Sequence, residues 1–108
     1  MSYKIKTLDV FEKQAKRLLK KYPSVKSDLL RLIGELKENP KLGTSIGKNC
    51  YKIRLKIASK GNGKSGGARL ITNLVVSDTT VYLMTIYDKS EKENLTDKEL
   101  KDLLENIP

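Results

Sequence analysis

Histidine and tryptophan are missing from these 108 residues, and cysteine occurs once, at Cys50. A lone thiol excludes an internal disulfide, and without histidine no zinc-site spacing exists, so no metal or cofactor is expected. Cys50 reads as a small apolar residue, and a reducing cytoplasm is the compartment that fits. No run approaches the roughly 18 apolar residues that a membrane span requires. Met1-Ser2-Tyr3-Lys4-Ile5 also lacks the apolar stretch of a signal peptide. Aromatics are scarce: one phenylalanine and five tyrosines leave leucine, isoleucine and valine to build the core. The most telling gap is in one sign of charge. Between Glu38 and Asp78 no acid occurs, while Lys41, Lys48, Lys52, Arg54, Lys56, Lys60, Lys64 and Arg69 do.

The whole chain carries 22 bases against 13 acids, a net charge of +9. Residues 1–87 hold 18 bases and 6 acids, or +12, whereas residues 88–108 hold 4 and 7, or −3. Net charge serves solubility in any protein, but a polycationic body with a mildly acidic tail points more strongly to a polyphosphate partner. A chain of this length builds one core and not two, so residues 1–108 are expected to form a single domain.

Apolar spacing predicts the elements. Tyr3 to Thr7 alternates as a short strand does. Asp9 and Glu12 mark a helix start, and Phe11, Ala15, Leu18 and Tyr22 follow as one stripe. Pro23 ends that helix and Ser24 is placed to cap a second, with Val25, Leu29, Leu32, Ile33 and Leu36 on its buried face. The period then changes to two. Tyr51, Ile53, Leu55 and Ile57 point one way, and Lys52, Arg54 and Lys56 the other. After a glycine-rich loop, Ala68 to Val76 is nearly continuous in apolar character and reads as the central strand. Ser77-Asp78-Thr79 is a turn, and Thr80 to Tyr87 a returning strand. Thr96-Asp97-Lys98-Glu99 is a capping box opening a last helix. The expected fold is α+β: an N-terminal strand, an antiparallel helical hairpin, a three-stranded antiparallel meander and a C-terminal helix.

Across a three-residue turn Val76 faces Thr80 and Arg69 faces Tyr87, with Lys56 or its neighbour beside Arg69. A slip of one residue would move these side chains to the other face. In this register Arg54, Lys56, Arg69 and Tyr87 share one open surface, with Lys60 and Lys64 arching over it. Cations hold phosphates and an aromatic ring stacks on a splayed base, so the set suits RNA. Lys52, Arg54 and Lys56 also fit the solvated face of a strand. Ala58 to Ser65 mimics a phosphate-binding loop, but a strand follows it where a helix is required.

Lys52-Ile53-Arg54, the loop Gly61-Asn62-Gly63-Lys64-Ser65-Gly66-Gly67-Ala68-Arg69-Leu70-Ile71, and Tyr87-Asp88-Lys89-Ser90-Glu91-Lys92-Glu93-Asn94-Leu95 together resemble the RelE/ParE superfamily of bacterial type II toxins, in particular the HigB-like RelE toxins. The resemblance covers nearly the whole chain. It implies a metal-independent mRNA endonuclease, active in the ribosomal A site and silenced by a cognate antitoxin, of helix-turn-helix type in some systems. The ribose 2′-hydroxyl attacks the adjacent phosphate, leaving a cyclic phosphate and a free 5′-hydroxyl. By the same resemblance Arg69 clamps the scissile phosphate and Lys64 and Lys56 share its developing charge. Arg54, Lys60, Lys52 and Lys89 hold RNA, and Tyr87 stacks on a base or takes part in proton transfer. Glu91 is the carboxylate in these motifs able to act as a base. Some relatives carry a histidine next to the C-terminal tyrosine, and here there is none. The alternatives are a ParE-like gyrase poison, which shares the fold, and a non-catalytic RNA- or ribosome-binding module.

Overall fold

The computed structural model describes residues 2–60 and 67–108, residue 60 by its backbone alone. Its elements are β1 (Lys4–Thr7), α1 (Asp9–Lys21), α2 (Val25–Glu38), β2 (Thr44–Gly47), β3 (Cys50–Leu55), β4 (Ala68–Val75), β5 (Thr80–Asp88) and α3 (Asp97–Leu104), with short 3-10 turns at Ala58–Lys60 and Val76–Asp78. The five strands lie in the order β1-β5-β4-β3-β2. β1 runs parallel to β5 and every other pair is antiparallel. The α+β arrangement is the expected one, and the central strand is β4, buried along all but its last residue.

Each side of the sheet has its own core. Phe11 and Leu18 of α1 and Val25, Leu32 and Leu36 of α2 pack on Ile53, Leu55, Leu70, Leu74, Val81, Leu83 and Ile86. On the other side Cys50, Ile71, Tyr82, Met84 and Tyr87 lie beneath Leu100, with Leu95, Leu103, Leu104 and Ile107 at the rim. Thus the helical hairpin covers one face and α3 half-covers the other.

The predicted stripes match these cores, while several local details differ. The meander has a fourth strand, β2, joined to β3 by Lys48 and Asn49, both left-handed at φ 55° and 59°. Two positive φ values in a two-residue loop make a type I′ turn, and its usual Asn-Gly signature is absent here. Leu8, not Asp9, is the N-cap of α1; Asp9 and Glu12 sit in the first turn, where acids suit the helix dipole. Ser24 is the N-cap of α2, as expected, but its side chain makes no capping hydrogen bond to the helix. Its hydroxyl donates to Asp28 Oδ2 at 2.8 Å and accepts the Ser59 amide at 2.8 Å. Asp28 Oδ2 also accepts the Ala58 amide at 3.2 Å, tying the chain after β3 to the start of α2.

The β4–β5 hairpin differs most instructively. Its turn is one residue longer than expected, so Val75 faces Thr80. Further along, Thr72 pairs with Leu83 but Ile71 pairs with Thr85, leaving Met84 as an extra residue. This β-bulge reverses the parity of β5. Val81 and Leu83 face the helical hairpin, and after the bulge so does Ile86, while Tyr87 joins Tyr82 and Met84 on the α3 side. The longer turn and the bulge cancel, so Arg69 does face Tyr87. The bulge falls just where β1 stops covering β5, at Leu83. There Gln14 of α1 takes over: its Oε1 accepts the Thr85 hydroxyl at 2.8 Å and the Ile86 amide at 3.0 Å.

α3 begins with the predicted capping box. Thr96 Oγ1 accepts the Glu99 amide at 3.1 Å and Glu99 Oε1 accepts the Thr96 amide at 2.9 Å. Lys92 pairs with the same carboxylate. The Lys92 hydrogen bond first, and then the Thr96 amide, hold the Glu99 carboxyl down at about 2 from an ordinary 4.5.

Two expectations follow from these contacts. Gln14→Met removes the acceptor of two donors at the bulge and should lower stability by about 1–3 kcal/mol in urea unfolding, while Gln14→Glu, which keeps an acceptor, should retain most of it. A Met variant as stable as the parent would show that the bulge does not depend on this clamp. For α3, the ionised Glu99 is the bound form, so its contribution is complete above pH 4.5 and lost as pH falls through about 2. An NMR titration of the Glu99 carboxyl should show that midpoint rising toward 4.5 in Lys92→Met; an unmoved midpoint would remove Lys92 from the cap.

Candidate active site

The three central strands set a row of side chains across the α3 side of the sheet. Arg69 is directly opposite Tyr87 on β5 and directly opposite Arg54 on β3, and Lys52 and Ile71 form the next pair. Two arginines facing one another repel, an arrangement that favours an anion between them. Two glycines shape the surroundings. Gly67 has φ 69°, and a Cβ there would lie 2.3 Å from the Leu55 carbonyl oxygen. Its own carbonyl accepts the Lys89 amide at 3.2 Å, drawing the segment after β5 to the head of β4. At Gly43, with φ 100°, a Cβ would meet the Lys52 carbonyl oxygen at 2.5 Å.

The result is a cleft of about 550 Å³ whose walls carry Lys52, Arg54, Arg69 and Lys89, together with Gly43, Thr44, Glu93 and Asn94. A smaller cleft of about 220 Å³ adjoins it, lined by Tyr87, Ile71, Ile46 and the start of α3 from Leu95 to Asp97, with Leu100 behind. Lys52 and Asn94 line both, and the lysine ammonium donates to Asn94 Oδ1 at 3.5 Å.

The expected open surface is in fact a covered one. Arg69 is 5% and Tyr87 8% exposed, because Leu95 and Leu100 close over the tyrosine side of the row. Arg69 Nη1 donates to the Ala68 carbonyl at 3.2 Å. The Tyr87 hydroxyl is buried and, among the described residues, has no hydrogen-bond partner. Burial pushes its phenol up from the ordinary value, against the opposing pull of Arg69 and Lys92. It is therefore a neutral hydrogen-bond donor near pH 7 and not a base.

Other residues singled out from sequence lie elsewhere. Lys56 is past the end of β3, and it is Arg54 that sits beside Arg69. Lys56 lines a separate cleft of about 380 Å³ between α2 and β3, with Arg31 and Glu35. Glu91 is paired with Lys21 of α1 at 3.3 Å and lines a groove of about 300 Å³ shared with Gln14, Arg17 and Tyr87, and not the cleft that Arg69 lines. The side chain of Lys60 and the whole of Lys64 fall outside the described residues. Conversely, Thr44, Glu93 and Asn94 were not expected at the site. Thr44 belongs to the unforeseen β2, and residues 89–95 have no periodicity from which their direction could be read. Among the described residues no group of three or more His, Cys, Asp or Glu side chains is arranged to hold a metal ion, and no helix is long and apolar enough to cross a membrane.

Known proteins share this architecture. The family model describing the RelE toxin of the RelE/RelB toxin–antitoxin system matches residues 6–106. Among solved structures, a mutant of the Escherichia coli toxin RelE in the free state superposes with a TM-score of 0.69 at 19% identity, each chain covered completely. The RelBE2 toxin–antitoxin complex of Mycobacterium tuberculosis gives 0.63 at 15% identity over 82% of this chain and 99% of that one. The same E. coli mutant in complex with an antitoxin RelB peptide gives 0.63 at 18% identity, again with full coverage of both. At such identities the structures speak for the fold, and the family model speaks for the lineage. The strand order, the cationic cleft and the match over residues 6–106 agree: this chain belongs to the RelE toxin family.

Proposed function

We propose that this chain is a ribosome-dependent mRNA endonuclease of the HigB-like branch, cleaving by attack of a ribose 2′-hydroxyl on the neighbouring phosphate. The observation that carries the reading is the cross-strand row Arg54–Arg69–Tyr87 on the floor of a cleft whose walls add Lys52 and Lys89. Such a reaction makes three physical demands: in-line alignment, neutralisation of charge building on the phosphate, and movement of a proton at each end.

The residues answer the second demand most plainly. Arg69 is held by the sheet and nearly buried, so its guanidinium is preorganised to take the scissile phosphate as a fork. Arg54 and Lys52 are spaced along β3 to take the same phosphate or the next one. Lys56 and Arg31, in the cleft beyond, continue a cationic path for a strand leaving the site. Lys89 borders the site from the C-terminal side. Tyr87, neutral and without a partner for its hydroxyl among the described residues, suits donation to a phosphate oxygen. For RNA to reach it, Leu95 and α3 must shift, and α3 is a helix of eight residues with one buried side chain, Leu100.

An antitoxin is the expected regulator, since a cation-lined cleft free in the cell would act on its substrate without restraint. The compartment this reading requires is the cytoplasm. Two of the similar structures contain an antitoxin chain or peptide, which supports the same class of partner here.

The test is induction in cells followed by mapping of mRNA ends, with the purified chain added to programmed ribosomes. New 5′-hydroxyl ends on translated mRNA are expected. Arg69→Ala should lower the cleavage rate by about 10²–10³-fold, the loss usual for one preorganised charge donor. Tyr87→Phe should lower it by at least tenfold with little change in stability. Growth arrest with DNA damage and intact mRNA would instead favour a gyrase poison, and full toxicity of Arg69→Ala would overturn the site.

A further inference from the structure

We propose that Glu93, not Glu91, is the general base that accepts the 2′-hydroxyl proton in the cleft bearing Arg69. This rests on the nuclease reading above and adds the group that the reading lacks. Four side chains of the cleft are cations, which have no lone pair to accept a proton at neutral pH. Tyr87 is held in its protonated form by burial. Thr44 and Asn94 are not bases, and the chain has no histidine. The loop outside the described residues adds nothing, because no acid occurs anywhere from residue 39 to residue 77.

The base must therefore come from the acidic tail. Asp88 is 2% exposed, its Oδ1 engaged by the Ser90 amide at 2.9 Å and hydroxyl at 2.8 Å, and it faces away from Tyr87 along β5. Glu91 is turned toward α1 by Lys21. Glu99 is occupied by Lys92 and the Thr96 amide. Asp97 lines only the smaller cleft, on the apolar side of Tyr87. Glu93 is the carboxylate that lines the Arg69 cleft, and among the described residues it enters no ion pair or hydrogen bond. One residue, Lys92, lies between it and Glu91, yet the two carboxylates line different clefts.

The step balances without any further reactant. The 2′-hydroxyl proton passes to the Glu93 carboxylate as the 2′-oxygen bonds to phosphorus, and the bond from phosphorus to the 5′-oxygen breaks. A lysine of the same cleft, Lys52 or Lys89, gives its proton to the departing 5′-oxygen. The charged groups that share the cleft with Glu93 are Lys52 and Arg54 of β3, Arg69 of β4 and Lys89 of its own segment, all of them basic.

Programmed ribosomes treated with the full-length chain test this under single-turnover conditions across pH 6.5–8.5. With a carboxylate as the base, the parent rate should be nearly flat across this range. Glu93→Gln should lose about 10²–10⁴-fold in maximal rate with RNA affinity unchanged or tighter, and what remains should rise about tenfold per pH unit as hydroxide replaces the base. Glu93→Asp should keep a flat profile at reduced rate. Glu91→Gln and Asp97→Asn should keep both the flat profile and a rate within about threefold of the parent. The assignment is overturned if Glu93→Gln cleaves at the parent rate, if it only tightens RNA binding, or if Glu91→Gln or Asp97→Asn shows the hydroxide dependence instead. A parent chain that leaves ribosome-bound mRNA intact overturns the nuclease reading itself, a separate result.

Discussion

One extra residue in β5 governs which side chains meet across the centre of this sheet. β4 alternates strictly, placing Ala68, Leu70 and Leu74 toward the helices and Arg69 and Ile71 toward α3. β5 cannot alternate throughout, because Val81, Leu83 and Ile86 must all be buried against the same helices. The bulge at Met84 resolves the conflict, and it is what turns Tyr87 toward Arg69. Its exposed backbone is satisfied by Gln14, a residue of the helix on the opposite face of the sheet. Burial of the apolar positions of β5 thus sets the face that the phenol takes, and two hydrogen bonds to Gln14 satisfy the polar groups beside the bulge.

Charge is distributed with the same economy. The body is a polycation, and its cleft gathers cations from β3, β4 and the segment after β5. The tail that carries the compensating acids folds back over this region. It spends those acids differently: Asp88 shapes a turn, Glu91 holds the tail to α1, Glu99 caps α3 and Glu93 is left facing the cleft. The cover over Tyr87 is a short amphipathic helix, held by Leu100 and its cap more than by extensive burial.

Much of the fold was legible because it follows from spacing along the chain. The stripes at Phe11, Ala15, Leu18 and Tyr22 and at Val25, Leu29, Leu32 and Leu36 are properties of a 3.6-residue period. The alternation of Tyr51, Ile53 and Leu55 against Lys52 and Arg54 follows from a period of two. β2 was not legible: four exposed residues joined to β3 by a Lys-Asn turn carry no apolar pattern. The Arg69–Tyr87 pairing was read correctly although its basis was incomplete, for the longer turn and the bulge offset one another.

The candidate site divides along the same line. Composition and order determined that this chain is a basic α+β domain of the RelE kind, with Arg54, Arg69 and Tyr87 on adjacent strands, because those features depend on residue type and local periodicity alone. Which residues meet was decided only in three dimensions. A bulge turned Tyr87, a burial that no single strand encodes raised its phenol further above its ordinary value, and the irregular segment after β5 sent Glu91 to α1 and Glu93 to the cleft. Irregular backbone has no period, so the direction of its side chains is set by the contacts that catch it.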